Sequence, residues 1–209
     1  MKTINFVAGI TLSLLASHFE GRGAVVITVQ EVGNDVVASA SGELNTTSLT
    51  DGGIAGGTSG NIFGSQSQVY VGPTTQVDFF TGLAGPFGWG TGAISLASTS
   101  SGSFVGIWGA GQTLYLPHGY VSGSAISASS TFSGKSIASL GITPGSYTYS
   151  WGSGANIDHV TISVVAVPEI PETLAVAGGM CLITAWLNRR HASRRTSSVS
   201  EISGKSLGP

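Results

Sequence analysis

From Val25 to Val164 apolar and polar residues alternate in short runs separated by turn residues. Val25, Ile27 and Val29 oppose Val26, Thr28 and Gln30, and Val36, Ala38, Ala40 and Leu44 oppose Val37, Ser39, Ser41 and Glu43. Successive side chains of a strand point to opposite faces, so a period of two is a strand signal. The Gly33-Asn34-Asp35 break between these runs predicts a β-hairpin. A second hairpin is predicted where Tyr147, Tyr149 and Trp151 alternate with Ser146, Thr148 and Ser150. It bends at Gly152 to Asn156 and returns through Val160, Ile162 and Val164. Further strands are predicted over 68–71, 76–80, 94–97, 103–108, 113–116 and 125–132, each bounded by Gly, Pro or polar residues. The polar, Gly-rich stretch 45–60 reads as a long loop, and 82–92 as a dense series of turns. No stretch between these ends repeats apolar residues at helical spacing. The expected body is all-β, an antiparallel β-sandwich or jelly roll.

The two ends carry a different pattern. Met1-Lys2 precedes an apolar core from Ile4 to Ala16, and small residues follow at Gly21, Gly23 and Ala24. That order predicts a secretory signal peptide over 1–24, as a helix, with cleavage near Gly23 or Ala24. At the other end Thr173 to Leu187 is apolar and is followed by Arg189, Arg190, Arg194 and Arg195. A transmembrane helix over 173–187 is expected, somewhat shorter than the roughly 20 residues that span a bilayer. The arginines would hold its far side in the cytoplasm. The chain then divides into a signal peptide (1–24), a Gly-rich extracytoplasmic domain (25–166), a terminal signal (167–195) and a polar tail (196–209).

Charge narrows the function classes. Lys135 is the only Lys or Arg between Ala24 and Val167, against the acids Glu31, Asp35, Glu43, Asp51, Asp78 and Asp158. A mildly acidic body has no basic patch to neutralise phosphates, so no nucleic-acid partner is expected. Cys181 is the only cysteine and lies in the C-terminal apolar run. The body therefore has no disulfide, thiol nucleophile or thiolate ligand.

Candidate chemistry is sparse. His118 and His159 have no second His, Cys or carboxylate at metal-ligand spacing, and Asp158 and His159, as strand neighbours, point to opposite faces. Asp35 and Asp51 sit in loop-like contexts without a regular calcium-ligand ladder. No Gly-x-Ser-x-Gly elbow occurs, and Gly88-Trp89-Gly90-Thr91-Gly92 opens no helix that would cradle phosphate. Neither a catalytic residue nor a metal or cofactor is predicted, and the chain is not expected to be an enzyme. The aromatics support two readings. Tyr147, Tyr149 and Trp151 read as the buried face of a strand. Alternatively the aromatics form a sugar-stacking row, with Trp89 and Trp108 the better candidates.

The order Val167-Pro168-Glu169-Ile170-Pro171-Glu172, apolar run, arginine cluster resembles the PEP-CTERM sorting signal of exported Gram-negative proteins. Pro168 and Glu169 match the motif's first Pro-Glu; Ile170 stands where its next Pro is expected, and Pro171-Glu172 follows one place later. The segments 25–33, 140–145 and 151–154 are also similar to the Gly-rich β domain that often precedes this signal. The resemblance implies recognition by a membrane exosortase, processing near Pro168 and Glu169, and delivery to the cell surface or an exopolysaccharide matrix. The expected role is a non-enzymatic envelope or matrix protein; the alternatives are a carbohydrate-binding module and, third, a hydrolase.

Overall fold

A computed structural model of the chain describes residues 23–166. Residues 1–22 of the signal segment, the Pro-Glu motif, the apolar run and the arginine cluster lie outside the described residues, while Ala24, expected at the end of the signal segment, opens a strand. Within 23–166 the strands are β1 (Ala24–Val32), β2 (Asp35–Glu43), β3 (Thr50–Thr58), β4 (Asn61–Phe63), β5 (Gln68–Val71), β6 (Thr75–Thr81) and β7 (Ile94–Leu96). They continue as β8 (Thr99–Gly102), β9 (Val105–Trp108), β10 (Thr113–Pro117), β11 (Ala125–Phe132), β12 (Gly145–Trp151) and β13 (Asp158–Val165). Only two short 3-10 turns interrupt them, and among the described residues no helix is long and apolar enough to cross a membrane.

Two antiparallel-rich sheets result. The six-stranded sheet runs β12-β13-β1-β2-β11-β8 and the seven-stranded sheet runs β3-β6-β10-β9-β5-β4-β7. Both predicted hairpins form. In the first, Val32 pairs with Asp35 across a two-residue turn, and Gly33 takes φ 63° at its first central position, which glycine adopts without steric cost. β13 inserts between β12 and β1 and pairs with β1 in parallel, Ala24 opposite His159 through Gln30 opposite Val165. No local pattern announces that pairing.

One buried cluster draws on both sheets. Val25, Ile27, Val29, Val36, Ala38, Val160 and Ile162 contribute from the first, and Ile62, Val69, Val71, Val105, Ile107, Leu114 and Leu116 from the second. The alternation read from sequence is the cause: β1, β2, β11, β12 and β13 send alternate residues into this layer. Ser130 on β11 joins the two sheets by a polar contact: its hydroxyl accepts from the Gly72 N–H at 3.0 Å and meets the Ser100 hydroxyl at 2.8 Å.

The expected loop over 45–60 is corrected. Thr50–Thr58 is the edge strand β3, paired with β6 and bulged between Asp51 and Gly53 and between Ala55 and Thr58. Its Gly-rich sequence lacks strand propensity, but an edge strand forms through its backbone. Asp51, read as loop-borne, sits in this strand, and its carboxylate accepts the Gly53 N–H at 2.8 Å. Asp35 likewise opens β2 and accepts the Gly134 N–H at 2.8 Å.

Candidate functional site

The structure separates the two tryptophans that the sequence grouped. Trp89 is 3% exposed. Its indole N–H donates to the Tyr149 hydroxyl at 2.9 Å, and that hydroxyl donates to the Pro86 carbonyl at 2.7 Å. Its ring stacks on Tyr147 with centroids 5.5 Å apart. Burial raises the Tyr149 phenol above its usual range, with Trp89's hydrogen bond opposing the shift, so it stays a neutral donor. Trp89 is therefore a core residue with no free face for a sugar. Tyr149 and Trp151 are buried as the stripe reading expects, while Tyr147 is half-buried. Trp151 donates to the Asn45 carbonyl at 2.8 Å.

The glycines beside Trp89 serve a chain crossing. Gly64, Gly90, Gly92 and Gly141 bring three backbone segments together; a Cβ on Gly92 would lie 1.9 Å from the Leu140 carbonyl oxygen. The N–H groups of Thr91 and Gly92 both donate to the Gly141 carbonyl, at 2.8 and 3.1 Å. Those donors are occupied within the chain, which explains the glycine-rich motif without a phosphate.

Trp108 lies elsewhere, on the face of the seven-stranded sheet turned away from the shared core. Register defines two rows across that face. One passes through Ile94, Phe63, Gln68, Trp108, Thr113 and Thr81. The next passes through Leu96, Asn61, Tyr70, Gly106, Tyr115 and Phe79. Tyr70, Val77 and Phe104 form a small second apolar cluster here, with Trp108 and Tyr115 packed against it. Tyr70 and Tyr115 have ring centroids 5.1 Å apart, and Phe79 and Tyr115 6.3 Å. Phe63, Phe79, Trp108 and Tyr115 remain half-buried, and Ile94 and Leu96 are 53% and 65% exposed. Burial first, and then the neighbouring Tyr115, push the Tyr70 phenol up, so it too is neutral. Sequence reasoning found Trp108 but missed Phe63, Phe79 and Tyr70, because the row forms between strands rather than along one.

The ionisable groups are dispersed. His118 Nδ1 lies 2.7 Å from Asp78 Oδ1, and Asp78 Oδ2 accepts the Gly119 N–H at 2.8 Å. No spacing signal marks this pair along the chain; β6 and the residue after β10 bring it together. Burial works to raise the Asp78 carboxyl, but the hydrogen bonds from His118 and Gly119 and the His118 charge outweigh it and hold the pKa below the usual value. A lowered carboxylate pKa contributes stability above the unfolded-state pKa, and that contribution is lost as pH falls through the folded one. Asp78→Asn is expected to flatten the acid limb of a thermal-stability profile while costing under about 1 kcal/mol near neutrality, because the His118 side chain is half exposed and solvent screens the pair. An unchanged acid limb would remove Asp78 from that role.

Asp158 is 1% exposed and opens β13. Its two oxygens accept the backbone N–H groups of Asn45 and His159. Burial raises its pKa, and those two hydrogen bonds oppose the shift. An open pocket of about 340 Å³ nearby is lined by Glu43, Asn45, Thr47 and Ser122 among others. No cluster of three or more His, Cys, Asp or Glu side chains suited to a metal occurs among the described residues. No protein-family model and no curated protein sequence matches the chain.

Proposed function

We propose that this is an exported, surface-sorted structural protein of the cell envelope or exopolysaccharide matrix, with no catalytic role. The observation that carries the reading is the order of Pro168-Glu169 and Pro171-Glu172, the apolar run 173–187 and the four arginines Arg189, Arg190, Arg194 and Arg195. Prolines disfavour helix and keep a short motif extended, a greasy helix holds it at the membrane, and arginines stop transfer. An exosortase-type enzyme is the processing partner this arrangement calls for. The apolar cluster shared by two sheets supports a body of the β-sandwich or jelly-roll-like class.

A carbohydrate-binding module is the second reading, favoured by the half-buried aromatics beside Trp108. A hydrolase would need a free carboxylate pair or a Ser/His pair in a cleft. Asp158, the buried acid beside the pocket, has both oxygens engaged by backbone N–H groups.

The test is the intact mass of the protein from cell-surface and membrane fractions of its native host. The expected species begins near Ala24 and ends near Pro168. A species that keeps 173–195 would instead define a single-pass membrane protein and defeat processed sorting.

A further inference from the structure

Three properties coincide on the outer face of the seven-stranded sheet. Its rings extend sideways over glycines. A Cβ on Gly106 would lie 2.4 Å from the Tyr70 ring, one on Gly111 2.4 Å from the Trp108 ring, and one on Gly52 2.1 Å from the Phe79 ring. The aromatic side chains thus occupy space that a neighbouring side chain would fill. An amide pair interrupts the rings: Gln68 Nε2 donates to Asn61 Oδ1 at 2.6 Å, with Gln68 in register between Phe63 and Trp108. Finally, no Asp, Glu, Lys, Arg or His occupies either registered row.

Each property restricts the partner. A ring laid along a sheet offers its π-face, which packs against the C–H face of a pyranose. Asn61 is buried, with its amide bonded to the Ser59 carbonyl and to Gln68, and it holds the half-buried Gln68, whose remaining N–H and carbonyl oxygen match sugar hydroxyls. Adjacent strands are about 4.8 Å apart, so Phe63 and Trp108, two strands apart, present rings roughly 10 Å apart along a line across the strands. An extended chain with repeating apolar faces suits that line. The uncharged rows supply no counter-charge for an acidic glycan or a charged peptide.

We infer that this face binds a neutral polysaccharide running across the strands, with Phe63 and Trp108 stacking on its rings and Gln68, in register between them, bonding its hydroxyls. The inference deepens the binding reading above and does not depend on the sorting signal. The intact-mass measurement reports sorting alone, so failure of either idea is recognisable without the other.

The experiment is affinity electrophoresis of the full chain in a detergent without a sugar head group, through gels holding mixed-linkage β-glucan, galactomannan, glycogen or alginate. At least one neutral glycan is expected to retard the chain, and alginate is not. Trp108→Ala and Gln68→Ala should each weaken retardation, the first by tenfold or more. Oxidative footprinting of the unaltered chain gives a second readout independent of how the variants fold. The retarding glycan should protect Trp108 and Phe63 and leave Trp89 and Trp151 unchanged. No retardation by any neutral glycan overturns the inference, as does retardation without protection of Trp108. A concentration-dependent dimer lost on Trp108→Ala, with no glycan effect, also overturns it and assigns the face to a second copy of the chain.

Discussion

Trp89→Ala is expected to lower folding stability by about 3–5 kcal/mol, the usual cost of removing a buried Trp or Phe ring. Three losses combine. The ring, only 3% exposed, leaves a cavity in the shared core. Its stack on Tyr147 disappears. The Tyr149 hydroxyl loses a donor, although it keeps its bond to the Pro86 carbonyl. Tyr149→Phe probes the polar part separately. It strands the buried indole N–H of Trp89, at a cost of about 1–3 kcal/mol. Denaturant titration followed by circular dichroism checks both. A Trp89→Ala loss below about 1 kcal/mol would mean that the ring is not a core element. Well below the unfolding midpoint this variant should still meet neutral glycans as the unaltered chain does, which separates core Trp89 from surface Trp108.

Gly92→Ala is expected to be comparably damaging for a single added methyl. The new carbon would stand 1.9 Å from the Leu140 carbonyl oxygen and 2.7 Å from its carbon, and both contacts are backbone. No side chain can swing aside, so one of the crossing segments must move. Moving it weakens the bonds that Thr91 and Gly92 donate to the Gly141 carbonyl, and the Gly90–Ile142 bridge beside them. Overpacking of a tight interior costs about 1–3 kcal/mol, occasionally more, and the upper part of that range is expected where only backbone can yield. Gly134→Ala provides the contrast. Its φ of 67° makes alanine strained, but nothing lies within 4 Å of the added carbon, so strain acts alone there. Thermal melts of the two variants give the comparison. Equal losses would show that the crossing adds nothing beyond conformational strain.

Much of the strand content was legible because its cause is local. In β1, β2, β12 and β13 every second residue is apolar, and burial of one face follows from that alternation. β3 escaped because its stability lies in pairing with β6 and in the Phe79 ring over Gly52, neither of which leaves a mark between Thr50 and Thr58. β8 escaped for a similar reason: Thr99-Ser100-Ser101-Gly102 has no apolar face and forms an edge against β11. The candidate site was half legible. Aromatic content pointed to Trp89 and Trp108 alike, because composition cannot tell which sheet face a ring will meet. The turn-rich segment 82–92 folds back on β12 through mutual hydrogen bonds between Ala84 and Ser150, and that docking buries Trp89.

What the sequence determined by itself is a β-rich body with two hairpins and a low-charge composition. Periodicity, turn chemistry and charge are properties of neighbouring residues, and they act before any distant contact forms. What only the tertiary structure decided is strand order, the parallel β1–β13 pair, the three-segment glycine crossing and the aromatic rows around Trp108. Each depends on residues far apart in the chain meeting through backbone pairing, which any sequence with a suitable pleat can offer. Selection among those pairings falls to the shared core, where large rings and bare glycines either fit or collide.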